Sequence, residues 1–246
     1  MSKIPIKLIT LQDKEDVLLK YKHYNIDNLL ILDGVLTNSK DNRFDHAIAK
    51  AVYNVPLRDG EVGCTLAHYL AYKEIVLANE PWAIILEDDA IIEKPFNSII
   101  DALDNANFFS EGARVLLLGH SRIVKKWLWW QRLKEPFDIV YNVNGIKLGR
   151  SKSISGCGTL SYAINREAAK LMTSYVKPFW RADDWEKISN AGIEVWHLWF
   201  PTVWEDLKER GSFTGNSMNI AHVLSIKSFF REMILLAYNR YKRLLK

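Results

Sequence analysis

The sequence of 246 residues is 48% hydrophobic and 25% charged, which excludes a disordered, collagen-like or coiled-coil protein. A net charge of +4 is too small to indicate a nucleic-acid-binding protein, and two cysteines are too few for a disulfide framework or a zinc site of the usual cysteine spacing. No apolar run has the length of a signal peptide or of a membrane-spanning helix, which needs about 20 apolar residues, so we expect a cytoplasmic protein.

In chain order, short apolar runs alternate with helical patterns, and this alternation predicts an α/β fold whose sheet has mostly parallel strands. The predicted strands cover residues 4–10, 29–33, 82–86, 115–119, 139–143, 158–164 and 194–200. The predicted helices cover residues 13–24, 61–78, 95–102, 166–176 and 182–190. The segment 120–152 is basic, aromatic and the least regular, which predicts a functional loop. We expect one domain over residues 1–219, followed by a basic amphipathic helix over 220–246.

The strand predicted at residues 82–86 is followed by three consecutive carboxylates, Glu87, Asp88 and Asp89. Ligands of α/β sheets bind beyond the carboxyl ends of the strands, and adjacent carboxylates repel one another unless a cation is near. A hard divalent cation with oxygen ligands meets this requirement. If the chain stays extended, Glu87 and Asp89 point to one side and Asp88 to the other. The alternative is a solvated turn in which an aspartate caps a helix near Pro95.

The helix predicted before this strand carries a second group of polar residues. Glu61, Cys64 and His68 follow one another at i, i+3 and i+7, a spacing that places them on one helical face. Gly63 costs about 1 kcal/mol relative to alanine in a helix, and its missing side chain could let a ligand approach the backbone. The alternative is that residue 68 is a core histidine with satisfied hydrogen bonds.

Several segments resemble the signature motifs of family 25 glycosyltransferases, the lipopolysaccharide and lipooligosaccharide core galactosyl- and glucosyltransferases. The two main motifs are Gly-Glu-Val-Gly-Cys-Thr-Leu-Ala-His at 60–68 and Ile-Leu-Glu-Asp-Asp-Ala at 85–90. Residues 156–170 are similar to a later glycine-rich strand and helix of the family, and residues 181–185 to its second acidic motif. The resemblance implies a GT-A type, Rossmann-like fold with a mixed sheet flanked by helices. It also implies a UDP-galactose or UDP-glucose donor, a Mn²⁺ or Mg²⁺ cofactor and inversion at the anomeric carbon.

The resemblance further implies roles for individual residues. Asp89, assisted by Glu87 or Asp88, would hold the cation that neutralises the departing diphosphate. The residues expected in the donor site are Glu61, Gly63, His68, Asp88 and Lys152. For Lys152 the alternative is a solvated loop charge. Residues 11–16 depart from the family because they lack the arginine that helps to bind the nucleotide.

Asp183 and Asp184 are the candidates for the general base that removes the proton of the acceptor hydroxyl. Trp180 and Trp185 flank them, and aromatic side chains suit sugar faces and raise a carboxylate's pKa by excluding water. We expect Asp184 to act as the base and Asp183 to bind a sugar hydroxyl or to cap the following helix. The alternative for either aspartate is an ordinary helix cap.

Two basic segments are candidates for contacts with an acceptor or a membrane. Cations alternate with tryptophans over residues 122–134. This pattern could bind a phosphorylated sugar chain or a single-stranded nucleic acid, or the loop could cover the core with its cations in solvent. Residues 222–246 carry six cations, one anion and an apolar stripe at helical spacing. Such a helix lies on an anionic membrane or docks on protein. We expect this helix to bind the inner face of the cytoplasmic membrane, and we expect no nucleic-acid partner.

Together these features predict an inverting, metal-dependent hexosyltransferase, most consistent with a β-galactosyltransferase, that extends a lipooligosaccharide core. Two alternatives stay open. One is a metal-dependent phosphohydrolase of nucleotide sugars, and the other is a non-catalytic adaptor at a membrane surface. The sequence leaves open which hexose is transferred, the acceptor linkage and the oligomeric state.

Overall fold

The computed structural model describes residues within one compact unit of the chain, Met1–Arg210. These residues are 4–26, 28–38, 40–121, 125, 128–129, 132, 136–151 and 158–206. Lys152, the predicted tail helix over 220–246 and most of the tryptophan-rich loop lie outside them. Among the described helices, none combines the length and the apolar character needed to cross a bilayer.

Eleven strands and six α-helices make up the described part of the chain. The strands are β1 (Ile6–Thr10), β2 (Leu29–Asp33), β3 (Trp82–Glu87), β4 (Ala90–Ile92), β5 (Arg114–Leu117), β6 (Gly119–His120), β7 (Ile139–Val143), β8 (Ile146–Arg150), β9 (Ser161–Asn165), β10 (Glu194–Leu198) and β11 (Val203–Glu205). The helices are α1 (Lys14–Tyr21), α2 (His46–Tyr53), α3 (Asp59–Leu77), α4 (Phe96–Asn105), α5 (Arg166–Thr173) and α6 (Trp185–Asn190). Every strand and helix predicted between residues 4 and 200 matches one of these elements, whereas α2, β4, β6, β8 and β11 were not predicted as separate elements.

The large sheet has eight strands in the order β2-β1-β3-β9-β5-β10-β8-β7, and a small sheet has the order β4-β11-β6. Strand β1 runs parallel to β2 and β3, but β9 lies antiparallel between β3 and β5. The mixed sheet flanked by helices is therefore confirmed: six of its eight strands run in one direction, as expected, and β8 and β9 run in the opposite direction. An apolar run indicates a buried strand but not its direction, because direction depends on where the connections enter the sheet.

Six strands end at the same edge of the large sheet, because β1, β2, β3, β5, β7 and β10 all run in one direction. We call this the strand-end edge; its last strand residues are Thr10, Asp33, Glu87, Leu117, Val143 and Leu198. The small sheet continues from there, since β4 follows β3 after two residues and pairs with β11. Segments that are distant in sequence therefore meet beside the end of β3.

Apolar packing on both faces holds β3 in place. Ile84 and Leu86 belong to a buried cluster on one face that also includes residues of α1 and α4. Ala83 and Ile85 belong to the cluster on the other face, with residues of α3, α5 and α6. Full burial of each isoleucine or leucine side chain stabilises the fold by about 1.5–3 kcal/mol. The carboxylates that follow β3 are thus attached to one of the most firmly packed strands.

The segment 120–152, expected to be irregular, contains the hairpin β7–β8. Its two-residue turn consists of Asn144 and Gly145, which have positive φ angles of 48° and 85°. An Asn-Gly pair between strands adopts such angles readily and favours the tight turns that match strand twist. Strand β7 matches the strand predicted at 139–143, whereas the loop prediction is wrong for β8, for a reason that is visible in the sequence.

Candidate active site

The loop between β3 and β4 is fastened to its neighbours by hydrogen bonds. Lys20 Nζ donates to the carbonyl oxygen of Asp88 at 2.8 Å, and Tyr21 OH donates to the carbonyl oxygen of Ala90 at 2.7 Å. The Asp88 carboxylate accepts a hydrogen bond from Thr10 Oγ1 at the end of β1. The alternative of a solvated turn with a helix-capping aspartate is not observed, since α4 begins without a side-chain hydrogen bond at its N-cap.

Glu87 points towards α3, where a hydrogen-bond network holds its carboxylate. His68 Nε2 lies 3.3 Å from Glu87 Oε1, and Thr159 Oγ1 donates to the same oxygen. His68 Nδ1 lies 2.7 Å from Tyr162 OH, which lies 2.7 Å from Tyr72 OH. Burial would raise the pKa of Glu87, but the hydrogen bond and charge of His68 and the Thr159 hydroxyl hold it below its usual value. His68 is thus a buried histidine with both ring nitrogens partnered, and it also contacts the acidic strand end.

Cys64 lies one turn before His68 on α3 and faces the same carboxylate. Its sulfur lies 4.0 Å from Glu87 Oε1 and 3.8 Å from Thr159 Oγ1. The Cys64 sulfur, a His68 ring nitrogen and a Glu87 oxygen all lie within 4.8 Å of one another. Burial, followed by the negative charge of Glu87, raises the pKa of the Cys64 thiol. The sulfur therefore carries a proton at neutral pH when no cation is bound.

Asp89 is the carboxylate whose charge is least compensated. Its Oδ1 is buried and has no hydrogen-bond partner among the described residues. Burial and then the negative charges of Glu87, Glu205 and Asp88 raise the pKa of Asp89 to about 8. An unpartnered buried oxygen among four carboxylates fits a hard divalent cation, which would let all of them stay ionised together.

Glu205 is a member of this group that the sequence analysis missed. Strand β11 pairs antiparallel with β4, and the register sets Glu205 opposite Ala90. The preceding residues carry no motif, and the contact depends entirely on how β11 pairs. We call Glu87, Asp88, Asp89 and Glu205 the carboxylate cluster.

Of the two adjacent aspartates, Asp183 and Asp184, it is Asp184 that caps helix α6. Its carboxylate accepts from the backbone N–H of Lys187 at 3.1 Å and from Tyr53 OH at 2.7 Å. Capping, which was expected of Asp183, is therefore the role of Asp184. The negative charge of Asp183 contributes to the raised pKa of the Cys64 thiol, so this carboxylate lies near Cys64.

The two tryptophans beside this pair are core residues. Trp185 is 1% exposed and donates from Nε1 to the carbonyl oxygen of Gly158 at 2.9 Å, and Trp180 is also buried. The Trp185 ring packs edge-on against Tyr162 with 5.0 Å between ring centroids. The expectation that these rings provide faces for a sugar is therefore wrong, because their faces are covered by protein.

Glu61 and Gly63 lie in the first turns of α3, and both serve local structure. Glu61 Oε2 accepts from the backbone N–H of Arg58 at 2.9 Å, and its Oε1 lies 3.3 Å from Arg181 Nε. A Cβ at Gly63 would lie 2.3 Å from the carbonyl oxygen of Val35. The missing side chain therefore makes room for the chain after β2. The predicted contacts of Glu61 and Gly63 with a donor stay predictions.

A buried histidine pair, His120 on β6 and His197 on β10, also lies at the strand-end edge. Their rings stack with centroids 5.7 Å apart and planes inclined by 18°. Burial and the nearby Arg132 charge lower the pKa of His120 to about 3, and burial, His120 and Arg132 lower the pKa of His197. Neither nitrogen of His197 has a hydrogen-bond partner within the described part of the chain. Both rings are therefore neutral at physiological pH, and the sequence analysis named neither.

Comparison with known families decides what kind of protein carries this site. Residues 8–185 match glycosyltransferase family 25, described as LPS biosynthesis proteins. This chain belongs to glycosyltransferase family 25. The matched residues include the acidic strand end and the Asp183–Asp184 pair, but not Glu205.

Proteins similar to this family 25 chain match different fractions of its length. Procollagen galactosyltransferase 2 of Homo sapiens is 27% identical over 125 residues, which are 50% of this chain and 18% of that protein. The chain therefore spans less than a fifth of this relative. Protein A197 from STIV has 14% identity and a TM-score of 0.39, and the match covers 82% of this chain and 83% of that one. Glucosyl-3-phosphoglycerate synthase from Mycobacterium tuberculosis, solved with Mn²⁺, UDP-glucose and phosphoglyceric acid, has 16% identity and a TM-score of 0.36, covering 78% and 68%.

The glycosyltransferase fold gathers most of the residues that the motifs indicated. Glu87, Asp88 and Asp89 meet at the strand-end edge, and His68 contacts Glu87 from α3. Glu61 instead pairs with Arg181, although it shares the helix with His68. Helical spacing predicted a common face for Glu61, Cys64 and His68, but only the last two approach Glu87.

Proposed function

We propose that this glycosyltransferase moves a hexose from UDP-galactose or UDP-glucose to a lipooligosaccharide or lipopolysaccharide core, with inversion at the anomeric carbon. Membership of family 25 supports transfer to such an acceptor, and the name of the human relative supports galactose. The observation that carries the proposed dependence on Mn²⁺ or Mg²⁺ is the buried, unpartnered Oδ1 of Asp89 within the carboxylate cluster.

In this proposal Asp89 would hold the cation, with Asp88 and Glu205 as neighbouring oxygen donors and Glu87 adding negative charge. When bound, the cation supplies neutralisation of the charge that develops on the leaving diphosphate. The protein prepares this position in advance. Lys20 fixes the backbone of the loop, and the His68 and Thr159 contacts keep Glu87 ionised.

We assign the general base to Asp183 rather than to Asp184. Both hydrogen bonds of the Asp184 carboxylate go to structural partners, namely the α6 backbone and Tyr53. Asp183 would take the proton of the acceptor hydroxyl as that oxygen bonds to the anomeric carbon. The bond from that carbon to the diphosphate oxygen breaks on the opposite face, so a single displacement inverts the configuration.

The acceptor in this proposal is embedded in the inner face of the cytoplasmic membrane, and the basic tail brings the enzyme to it. The support is the composition of residues 222–246, whose six cations and one anion accompany an apolar stripe. Each cation near an anionic surface contributes about 1 kcal/mol, so the net charge and the apolar stripe suffice for peripheral binding.

The donor proposal is tested by measuring UDP release from a panel of UDP-sugars, with and without Mn²⁺ and with and without a lipooligosaccharide acceptor. We expect release from UDP-galactose or UDP-glucose that requires both the cation and the acceptor. Equal release without acceptor would instead indicate a phosphohydrolase, and no release with any donor would reject the proposal.

The membrane proposal is tested by sedimentation of the full chain and of a chain ending at residue 219 with vesicles of anionic and of zwitterionic lipid. We expect the full chain to bind the anionic vesicles and the shortened chain to stay in solution. Unchanged binding of the shortened chain would contradict the role of the tail, independently of the donor result.

A further inference from the structure

We propose that Cys64, His68 and Glu87 form a second cation site, separate from the carboxylate cluster's hard-cation position, that takes a softer divalent ion of the zinc class. The three side chains offer a sulfur, an imidazole nitrogen and a carboxylate oxygen within 4.8 Å of one another. These are the three ligand types that zinc combines in proteins.

The distance between the His68 and Glu87 ligand atoms equals that of a tetrahedral zinc site, and the Cys64 sulfur lies slightly farther from Glu87 than such a site requires. Zn–S bonds of about 2.3 Å and Zn–N and Zn–O bonds of about 2.0 Å place tetrahedral ligands roughly 3.3–3.6 Å apart. His68 Nε2 and Glu87 Oε1 are 3.3 Å apart, and Cys64 Sγ and the same oxygen are 4.0 Å apart. All three ligand atoms lie within 4.8 Å of one another, so movement of Cys64 Sγ towards the other two atoms would complete three positions of the tetrahedron.

The surrounding residues already orient the imidazole as metal sites require. Ligating histidines usually engage their second ring nitrogen in a hydrogen bond, which fixes the ring. His68 Nδ1 lies 2.7 Å from Tyr162 OH, and Tyr72 OH is the next member of the chain at 2.7 Å. His68 Nε2 is therefore left on the side of Glu87, where a cation could replace its contact with the carboxylate oxygen.

The structure also offers a fourth ligand position and a route by which a cation can enter the site. Thr159 Oγ1 contacts both Glu87 Oε1 and the Cys64 sulfur, so this hydroxyl or a water molecule can occupy the fourth position. His68 is 2% exposed, but the Glu87 side chain is 27% exposed and Cys64 is partly exposed. A cation can thus enter from the side of the strand-end edge.

The site shares Glu87 with the carboxylate cluster, and its other two ligands, Cys64 and His68, distinguish it. Carboxylates suit Mg²⁺ and Mn²⁺, whereas thiolate and imidazole favour Zn²⁺ and its analogues Co²⁺ and Cd²⁺. Coordination releases the Cys64 thiol proton to solvent, so binding yields a thiolate–metal bond. The sequence rules for paired cysteines did not reveal the site, because its ligands come from α3 and from the end of β3 and include one cysteine.

One consequence rests on the proposed function. A zinc-class ion at this site would bind the Glu87 oxygen and neutralise the charge that this carboxylate contributes beside Asp89. We therefore expect low concentrations of Zn²⁺ to inhibit Mn²⁺-dependent transfer in the parent enzyme and to have less effect on a Cys64→Ser variant.

The direct test is titration of the full chain with Co²⁺, followed by the near-ultraviolet charge-transfer absorption of a cobalt–thiolate bond. We expect this band in the parent protein and in Cys157→Ser, and its loss in Cys64→Ser, which changes the sulfur alone. Cys157 is the matched control because it is the other cysteine of the chain. Absence of the band from the parent, or its persistence in Cys64→Ser, would overturn the proposal.

Two further variants separate the site from the proposed function. Tyr162→Phe removes the partner of His68, and we expect about tenfold weaker Co²⁺ binding with the band retained. Asp89→Asn should lose Mn²⁺-dependent transfer yet keep the band, which shows that the two cation positions are distinct. Loss of the band in Asp89→Asn would contradict a separate site. If the parent protein shows the band but no Mn²⁺-dependent transfer, only the proposed function is rejected.

Discussion

Two groups of titratable side chains lie at the strand-end edge, the partly buried carboxylate cluster and the buried histidine pair, and burial favours the neutral form in both. In the carboxylate cluster, like charges add to burial and raise the pKa of Asp89 to about 8. In the histidine pair, burial lowers the pKa of His120 to about 3. The histidines become neutral without a ligand, whereas the carboxylates can ionise together only with a cation. The comparison shows why one group is a candidate reaction centre and the other a part of the core.

The sharpest test of this difference is Asp89→Asn. We expect Mn²⁺-dependent transfer to fall by about 10³-fold, because a cation in a charged transition state contributes several kcal/mol. Folding should be retained, since the substitution removes like-charge repulsion. Transfer rates and circular dichroism check both points, and Asp101→Asn on the exposed surface of α4 is the matched control. Full activity of Asp89→Asn would remove the cation from the mechanism.

The second test compares the adjacent aspartates. We expect Asp183→Asn to lower kcat by at least about 10²-fold, as expected for a general base, with little change in stability. Asp184→Ala should instead lower the free energy of unfolding by about 1 kcal/mol, because it removes the cap of α6. Urea unfolding and kcat of both variants separate the roles. The opposite pattern would restore Asp184 as the base.

A smaller effect is expected at Glu205, which only the fold brings to the cluster. We predict that Glu205→Gln weakens the apparent affinity for Mn²⁺ by about 10-fold, the lower end for residues that support a metal site. Transfer rates as a function of Mn²⁺ concentration measure it, and saturating Mn²⁺ should largely restore the rate. An unchanged affinity would show that the Glu205 charge does not reach the cation.

The histidine pair predicts a change in stability rather than in activity. The pKa of His120 is lower in the folded state than its unfolded value of about 6.5. Below that pH the unfolded chain binds a proton that the folded protein does not, so the free energy of unfolding is constant above about pH 6.5 and falls as the pH falls below it. Between pH 7 and pH 5 the loss is about 2 kcal/mol. Urea unfolding at both pH values measures it, and His120→Gln should show a smaller difference than the parent. Equal differences would mean that His120 is not held neutral.

Local patterns of the sequence were enough to predict most elements and part of the site. The apolar run before Glu87 predicted β3, and helical spacing predicted that Cys64 and His68 share a face of α3. The roles of Trp180 and Trp185 could not be predicted, because an aromatic ring beside a carboxylate looks the same whether it faces a sugar or the core. Only the packing against Tyr162 distinguishes the two cases.

The sequence by itself determined the α/β class, the family motifs and the three carboxylates at the end of β3, because these depend on residue type and short spacing. The tertiary structure decided that β9 runs antiparallel, that Asp184 is a cap and that Glu205 and the histidine pair lie at the strand-end edge. The physical reason is that strand pairing and burial join residues that are far apart along the chain. The charge, the pKa and the ligand geometry of these side chains depend on such contacts and not on the residues adjacent in the sequence.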